Sequence, residues 1–294
     1  MTIAHAPLRL TEPATEPGKG SWGPDLLARL VSPAPPRPPV DHGLAGGLRA
    51  WLEDGIAGVG RPDHRGARVG RTGRPERPAV VRDGTLVRGV ALARPGAFGL
   101  RELRACLTRM IFRLTLVQGP LRHPLEFEEA LCAMSVTEDG PDLLDAIGRL
   151  RPRERASLRA FARARASAIS AQWQPVPAAW LPRTGESLCV PLGGGAVVLR
   201  ATADLVLARP PGGGVSACLV RLHDERRGPL DDGQAHRARR ALALSETLRS
   251  GAPPWRVATY DPGARRLDCD EVTEALLADA VRDALDALDA LVRG

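Results

Sequence analysis

Four side chains within one short stretch have the types and spacing needed to act on a charged substrate. Asp204 lies near the end of an apolar run at residues 196–208, and Arg221, His223 and Glu225 fall in and just after the next run, residues 215–223. Alternation along an extended strand puts positions 221, 223 and 225 on one face, opposite Val220 and Leu222. A carboxylate and a neutral imidazole are groups that divalent cations accept as ligands. Arg221, with Arg226 and Arg227 beyond it, is of the type that grips a phosphate backbone. Two readings stay open at this level. In one, Asp204, His223 and Glu225 form a catalytic centre with Asp204 as metal ligand, and Asp224 or Glu246 is a further carboxylate able to enter. In the other, Asp204 and Arg221 sit on neighbouring strands and pair as ions, with no metal held.

Other chemistry is poorly represented. Neither Gly193-Gly194-Gly195 nor Gly212-Gly213-Gly214 precedes a Lys-Ser/Thr pair, so both read as strand turns rather than phosphate loops. No GxSxG elbow is present. The five cysteines are odd in number and never form a CxxC pair, which argues against a zinc site or a disulfide framework. The formal charge of +7 invites a nucleic-acid partner. However, 40 of the 41 basic residues are arginine, Lys19 is the sole lysine, and asparagine is missing, which a compositional bias also explains. No run approaches the roughly 18 to 20 apolar residues of a membrane span, and the N-terminus lacks the order of a secretory signal, so a cytoplasmic protein is expected.

The elements that must position these groups follow from periodicity. Residues 1–40 hold nine of the 27 prolines, and residues 60–78 are rich in Arg, Gly and Pro. Residues 1–78 therefore read as a largely disordered leader with a short helix at 44–53. Residues 79–150 read as a hairpin around Asp83-Gly84 followed by core-facing helices, the first with Leu103, Leu107, Met110, Ile111 and Leu114 at helical spacing. From 151 to 294 the expected order begins with a helix from Pro152 to about Trp173. Strands at 188–192, 196–208 and 215–223 form an antiparallel meander. A helix at 234–248, a strand at 255–260 and a short edge strand at 267–269 come next, and a closing helix capped by Asp270 ends the chain. Trp173 and Trp180 flank a proline-containing linker that they clamp onto the domain.

That order of helix, three strands, helix and strand resembles the common core of the PD-(D/E)XK nuclease superfamily. The stretches 200–208 and 217–223, with 242–251 and 253–260 downstream, resemble its RecB-like branch. The resemblance covers about the last 110 to 140 residues and implies an α/β domain of α+β type, carrying added N-terminal helices and a C-terminal helix. It further implies that Asp204 binds a divalent metal, with a second carboxylate at 221 and a lysine at 223. There this chain has arginine and histidine. A hard cation neutralises phosphate and acidifies an attacking water through carboxylate ligands, and an arginine in place of one of them repels it. His123 corresponds in the same resemblance to a helix-borne histidine, and a lone surface histidine is its plainer reading.

Three functions follow as expectations. The first is a nuclease-like pseudoenzyme, catalytically impaired, that binds DNA, RNA or a protein partner. The second is an active nuclease using Mg²⁺ or Mn²⁺ at Asp204, His223 and Glu225. The third is a scaffold whose Pro/Arg-rich leader recruits a protein partner. None involves a membrane.

Overall fold

The computed structural model describes residues 26–31, 43–58, 79–82, 85–87, 99–118, 140–210, 216–223 and 231–293. In chain order the elements are α1 (Leu26–Leu30), α2 (Leu44–Gly58), β1 (Ala79–Arg82), β2 (Thr85–Val87), α3 (Leu100–Gln118), α4 (Gly140–Gly148) and α5 (Pro152–Ser170). There follow β3 (Pro182–Leu192), β4 (Val197–Leu207), β5 (Cys218–Leu222), α6 (Asp232–Ser250), β6 (Arg256–Asp261), β7 (Arg266–Glu271) and α7 (Glu274–Arg293).

Local chemistry sets the boundaries of these elements. Pro152 occupies the first turn of α5, where its missing N–H is no loss, and Glu154 Oε2 reaches back to accept from the Arg151 N–H at 3.0 Å. Asp231 caps α6 by accepting from Gln234 N–H at 3.0 Å, and Gly251 ends it at φ 79°, donating to Thr247 O at 3.0 Å. The three glycines at 193–195 join β3 to β4 with φ of 54°, 65° and 91°, so this glycine run is a strand turn.

The strands form one mixed sheet of seven. β3, β4 and β5 pair antiparallel in succession, and α6 then crosses over so that β6 returns parallel to β5, with β7 antiparallel at the far edge. The 79–87 hairpin does more than pack on the core, because β1 joins the sheet parallel to β4. Helices cover both faces. α1, α3, α4 and α5 enclose a core in which Trp173 meets Phe112 and Tyr260 edge to face, with ring centroids 5.0 Å and 5.3 Å apart. On the other face α2, α6 and α7 lay Leu52, Leu242, Leu244, Leu277 and Val281 on Leu188, Val190, Leu199 and Val257. Each such side chain contributes about 1.5–3 kcal/mol on full burial.

Several expectations need correction. The leader is not merely a tail, because Leu26, Leu27, Leu30 and Val31 are buried in the Trp173 core and α2 extends to Gly58, with Leu48 and Leu52 in the opposite core. The first strand of the meander begins at Pro182, six residues before Leu188, since its early part mixes polar with apolar side chains and hides the alternation. Asp270 does not cap the last helix; it lies in β7, and Thr273 Oγ1 caps α7 by accepting from Leu276 N–H at 3.2 Å. Trp173 is a fully buried core residue and Trp180 packs half-buried at the core's edge, so the linker between them is anchored on the domain at both ends. His123, Asp224, Glu225, Arg226, Arg227 and the 212–214 glycines lie outside the described residues. Among the described residues no helix is long and apolar enough to cross a membrane.

Candidate functional site

The site grows out of an irregularity in β4. One edge of this strand pairs with β3 along its length, and the other is shared: β1 takes residues 197–200 and β5 takes residues 205–207. Between them, residues 201–204 have no ladder partner on that edge among the described residues. The in-out order also changes phase here. Leu199, Ala201 and Ala203 point to the α6/α7 core, whereas beyond Asp204 it is Leu205 and Leu207 that point to the α3/α5 core. Across from Asp204 the β3–β4 register passes over Gly185, which holds φ 72°, a left-handed conformation that costs glycine little. A Cβ at Gly185 would collide with the Arg113 guanidinium.

Asp204 closes the gap with its side chain. Its Oδ2 accepts the Leu222 N–H at 2.8 Å, so the carboxylate does for the end of β5 what a neighbouring strand's carbonyl would have done. Its Oδ1 lies 3.6 Å from Arg109 Nε of α3 and accepts no hydrogen bond among the described residues. Only 2% of Asp204 is exposed, against 28% of the Arg109 side chain. Burial pushes the Asp204 carboxyl up from its ordinary range, opposed first by Arg109, then by the Leu222 N–H, then by Arg221 and Arg113. One carboxylate thus sits in the field of three guanidiniums, two supplied by α3 and one by β5.

This arrangement brings together Asp204 and Arg221 from the sequence reading and adds Arg109 and Arg113, which that reading missed. The missed signal is modest: two arginines one turn apart on α3, flanking the apolar stripe of Leu103, Leu107, Met110 and Ile111. His223 follows β5 half-buried, with its backbone N–H donating to Tyr260 O at 2.8 Å. Glu246, considered as a migrating carboxylate, is buried on α6 and is committed to Arg249 through two bonds of 2.8 Å. Among the described residues no three His, Cys, Asp or Glu side chains converge as a cation would require. Among the described residues a cation placed at Asp204 would face one carboxylate and the repulsion of three arginines, whose field opposes the cost of burying the carboxylate without cancelling it.

A second polar node lies on the opposite layer. Arg239, 9% exposed, donates from Nε to Asp270 Oδ2 at 2.5 Å, and His236 Nδ1 stands 3.1 Å from the same oxygen. Arg240 beside it faces Asp279 and Asp283 of α7, with Nε 2.8 Å from Asp283 Oδ2. These pairs tie α6 to β7 and α7 and serve the packing of that layer.

Compared with known proteins, the chain matches no family model, no curated protein and no solved structure.

Proposed function

We propose that this chain is a PD-(D/E)XK-like protein in which an arginine cluster stands in place of the metal centre, and that it acts by binding, to a nucleic acid or a protein, rather than by hydrolysis. The observation that carries the reading is Asp204 itself. It is buried where β4 and β5 part, it holds the Leu222 N–H, and its charge lies in the field of Arg109, Arg221 and Arg113, which oppose the cost of its burial. Chain order supports the same reading: a helix, an antiparallel meander β3–β4–β5, a crossover helix, and a strand parallel to the last of the three. Phosphodiester hydrolysis through a bound cation needs carboxylates aimed at one point. Here the position next to Asp204 presents a guanidinium, which holds phosphate but generates no nucleophile.

The test is calorimetric titration of the whole protein with Mn²⁺ and Mg²⁺, with Asp204→Ala in parallel, and incubation with supercoiled plasmid in the same buffers. No saturable heat and intact plasmid are the expected results. One-to-one binding that vanishes in Asp204→Ala, or plasmid nicking that does so, would overturn the proposal. Installing Arg221→Glu with His223→Lys should raise Mn²⁺ affinity above that of the parent chain, because it exchanges a repelling charge for a ligand.

A further inference from the structure

The two helical layers carry opposite charge. α3 and α5 together hold nine arginines against Glu102 and Glu154. On the other face of the sheet α7 holds five carboxylates against Arg282 and Arg293, α2 holds Glu53 and Asp54 against Arg49, and α6 holds Asp232 and Glu246 against Arg237, Arg239, Arg240 and Arg249, so these three helices together carry nine carboxylates against seven arginines. A compositional excess of arginine would make both layers basic. Segregation instead builds a directional field across the molecule.

Glu154 is occupied by Arg151, through the main-chain N–H at 3.0 Å and through Nη2 at 2.7 Å, and Asp145 on α4 pairs with Arg149. Arg153, Arg159 and Arg163 are exposed on α5, and Arg155, Arg159 and Arg163 recur every fourth residue, about 6 Å apart along the axis. At the seam with α3, Phe161 has two guanidiniums against its ring, Arg104 at 5.2 Å and Arg165 at 5.0 Å, and Arg104 donates to Ser157 Oγ at 3.1 Å. Stacked guanidiniums have already lost part of the freedom that binding would otherwise take away.

We infer that the outer face of α5, with the adjoining edge of α3, is a docking surface for the phosphodiester backbone of a nucleic acid. The reasoning rests on the proposed binding role and places the contact away from Asp204. A membrane-surface helix needs an apolar face to insert, but the apolar face of α5 is consumed by the core through Leu158, Ala162, Ala166 and Ile169. A protein interface is built around an apolar centre, and of the exposed large apolar side chains among the described residues, Trp51, Val117 and Leu181, none is on α5 and Val117 sits at the C-terminal end of α3, 13 residues from Arg104. A row of guanidiniums repeating each turn matches a polymer of repeating phosphates.

The experiment is fluorescence anisotropy of the full chain, in EDTA, with a labelled DNA duplex and with a labelled single-stranded RNA, over a series of salt concentrations. Binding to either should weaken linearly in log–log form. Replacing Arg153, Arg159 and Arg163 together by glutamine should lower the slope by about 2 to 3, at about 0.9 per phosphate contact for duplex and about 0.7 for single strand. Arg163→Gln alone should lower it by about 1 or slightly less. Arg282→Gln should leave affinity within about twofold of the parent, since α7 packs on the opposite face of the sheet from α5. An unchanged slope in the triple variant, with its thermal melt intact, would overturn the inference. So would the absence of binding to both probes while phosphatidylserine vesicles retain the protein. Cleavage of the duplex when Mn²⁺ replaces EDTA would count against the metal-free reading instead, which keeps the two failures apart.

Discussion

Replacing Asp204 by asparagine and by alanine separates the two roles of this carboxylate, acceptor and charge. Alanine removes the acceptor of the Leu222 N–H, a bond of 2.8 Å at a site 2% exposed. An orphaned buried donor costs about 1–3 kcal/mol, which for a chain of this size is a fall in melting temperature of about 3 °C at the middle of that range. Asparagine keeps an oxygen in the same place and should cost less than about 1 kcal/mol at neutral pH. The pH dependence gives the sharper reading. Burial holds the folded pKa of Asp204 above its ordinary value of 3.8, so the folded state binds the proton more tightly than the unfolded chain does. That contribution to stability is fully present below the unfolded pKa and is lost as pH rises through the folded one. The asparagine variant cannot undergo this loss, so its stability relative to the parent should improve from about pH 4 up to the folded pKa of Asp204 and level off above it. Urea denaturation at a series of pH values measures both effects. Should asparagine prove as destabilising as alanine, with a deficit that widens as pH rises, the ionised carboxylate would be a net gain from its arginines and the burial argument would be wrong.

Other consequences follow from neighbouring residues. Gly185→Ala should destabilise by the roughly 1–2 kcal/mol of a left-handed φ, with the Arg113 guanidinium swinging aside from the new Cβ; Gly194→Ala, at φ 65° in open space, should cost a similar amount in the same denaturation assay. Tyr260 is the one tyrosine of the chain, and burial raises its pKa. Ultraviolet titration of the folded protein past about pH 10, where an exposed phenol is half ionised, should therefore show no phenolate until unfolding begins. Tyr260→Phe should cost about 1 kcal/mol through loss of the 2.7 Å bond to Gln172 Oε1. Arg239→Ala leaves Asp270 with His236, and because Asp270 is 25% exposed the loss should be about 2 kcal/mol, below that of a fully buried pair. A double cycle with Asp270→Asn checks that the loss belongs to the pair.

The sequence by itself determined the local elements and their order in the second half of the chain. Glycine turns, a proline at the head of α5, Asp231 before α6 and the shift from helical to alternating periodicity are short-range signals, and each is decided by residues within one or two turns of itself. They also brought out Asp204 and Arg221 as partners on adjacent strands. Tertiary structure decided what lies across the sheet. That α1 is buried at Leu26 and Leu30, that β1 joins β4, and that α3 delivers Arg109 and Arg113 to Asp204 are contacts between segments far apart in the chain. No local pattern encodes them, since an arginine beside an apolar stripe looks alike whether it meets water or a carboxylate. The burial of Asp204 was equally invisible, because an aspartate near a strand end is solvated by default. Here the parting of β4 from β5, the glycine opposite and the helix overhead exclude water from it, and that exclusion turns the candidate metal ligand into the centre of an ion cluster.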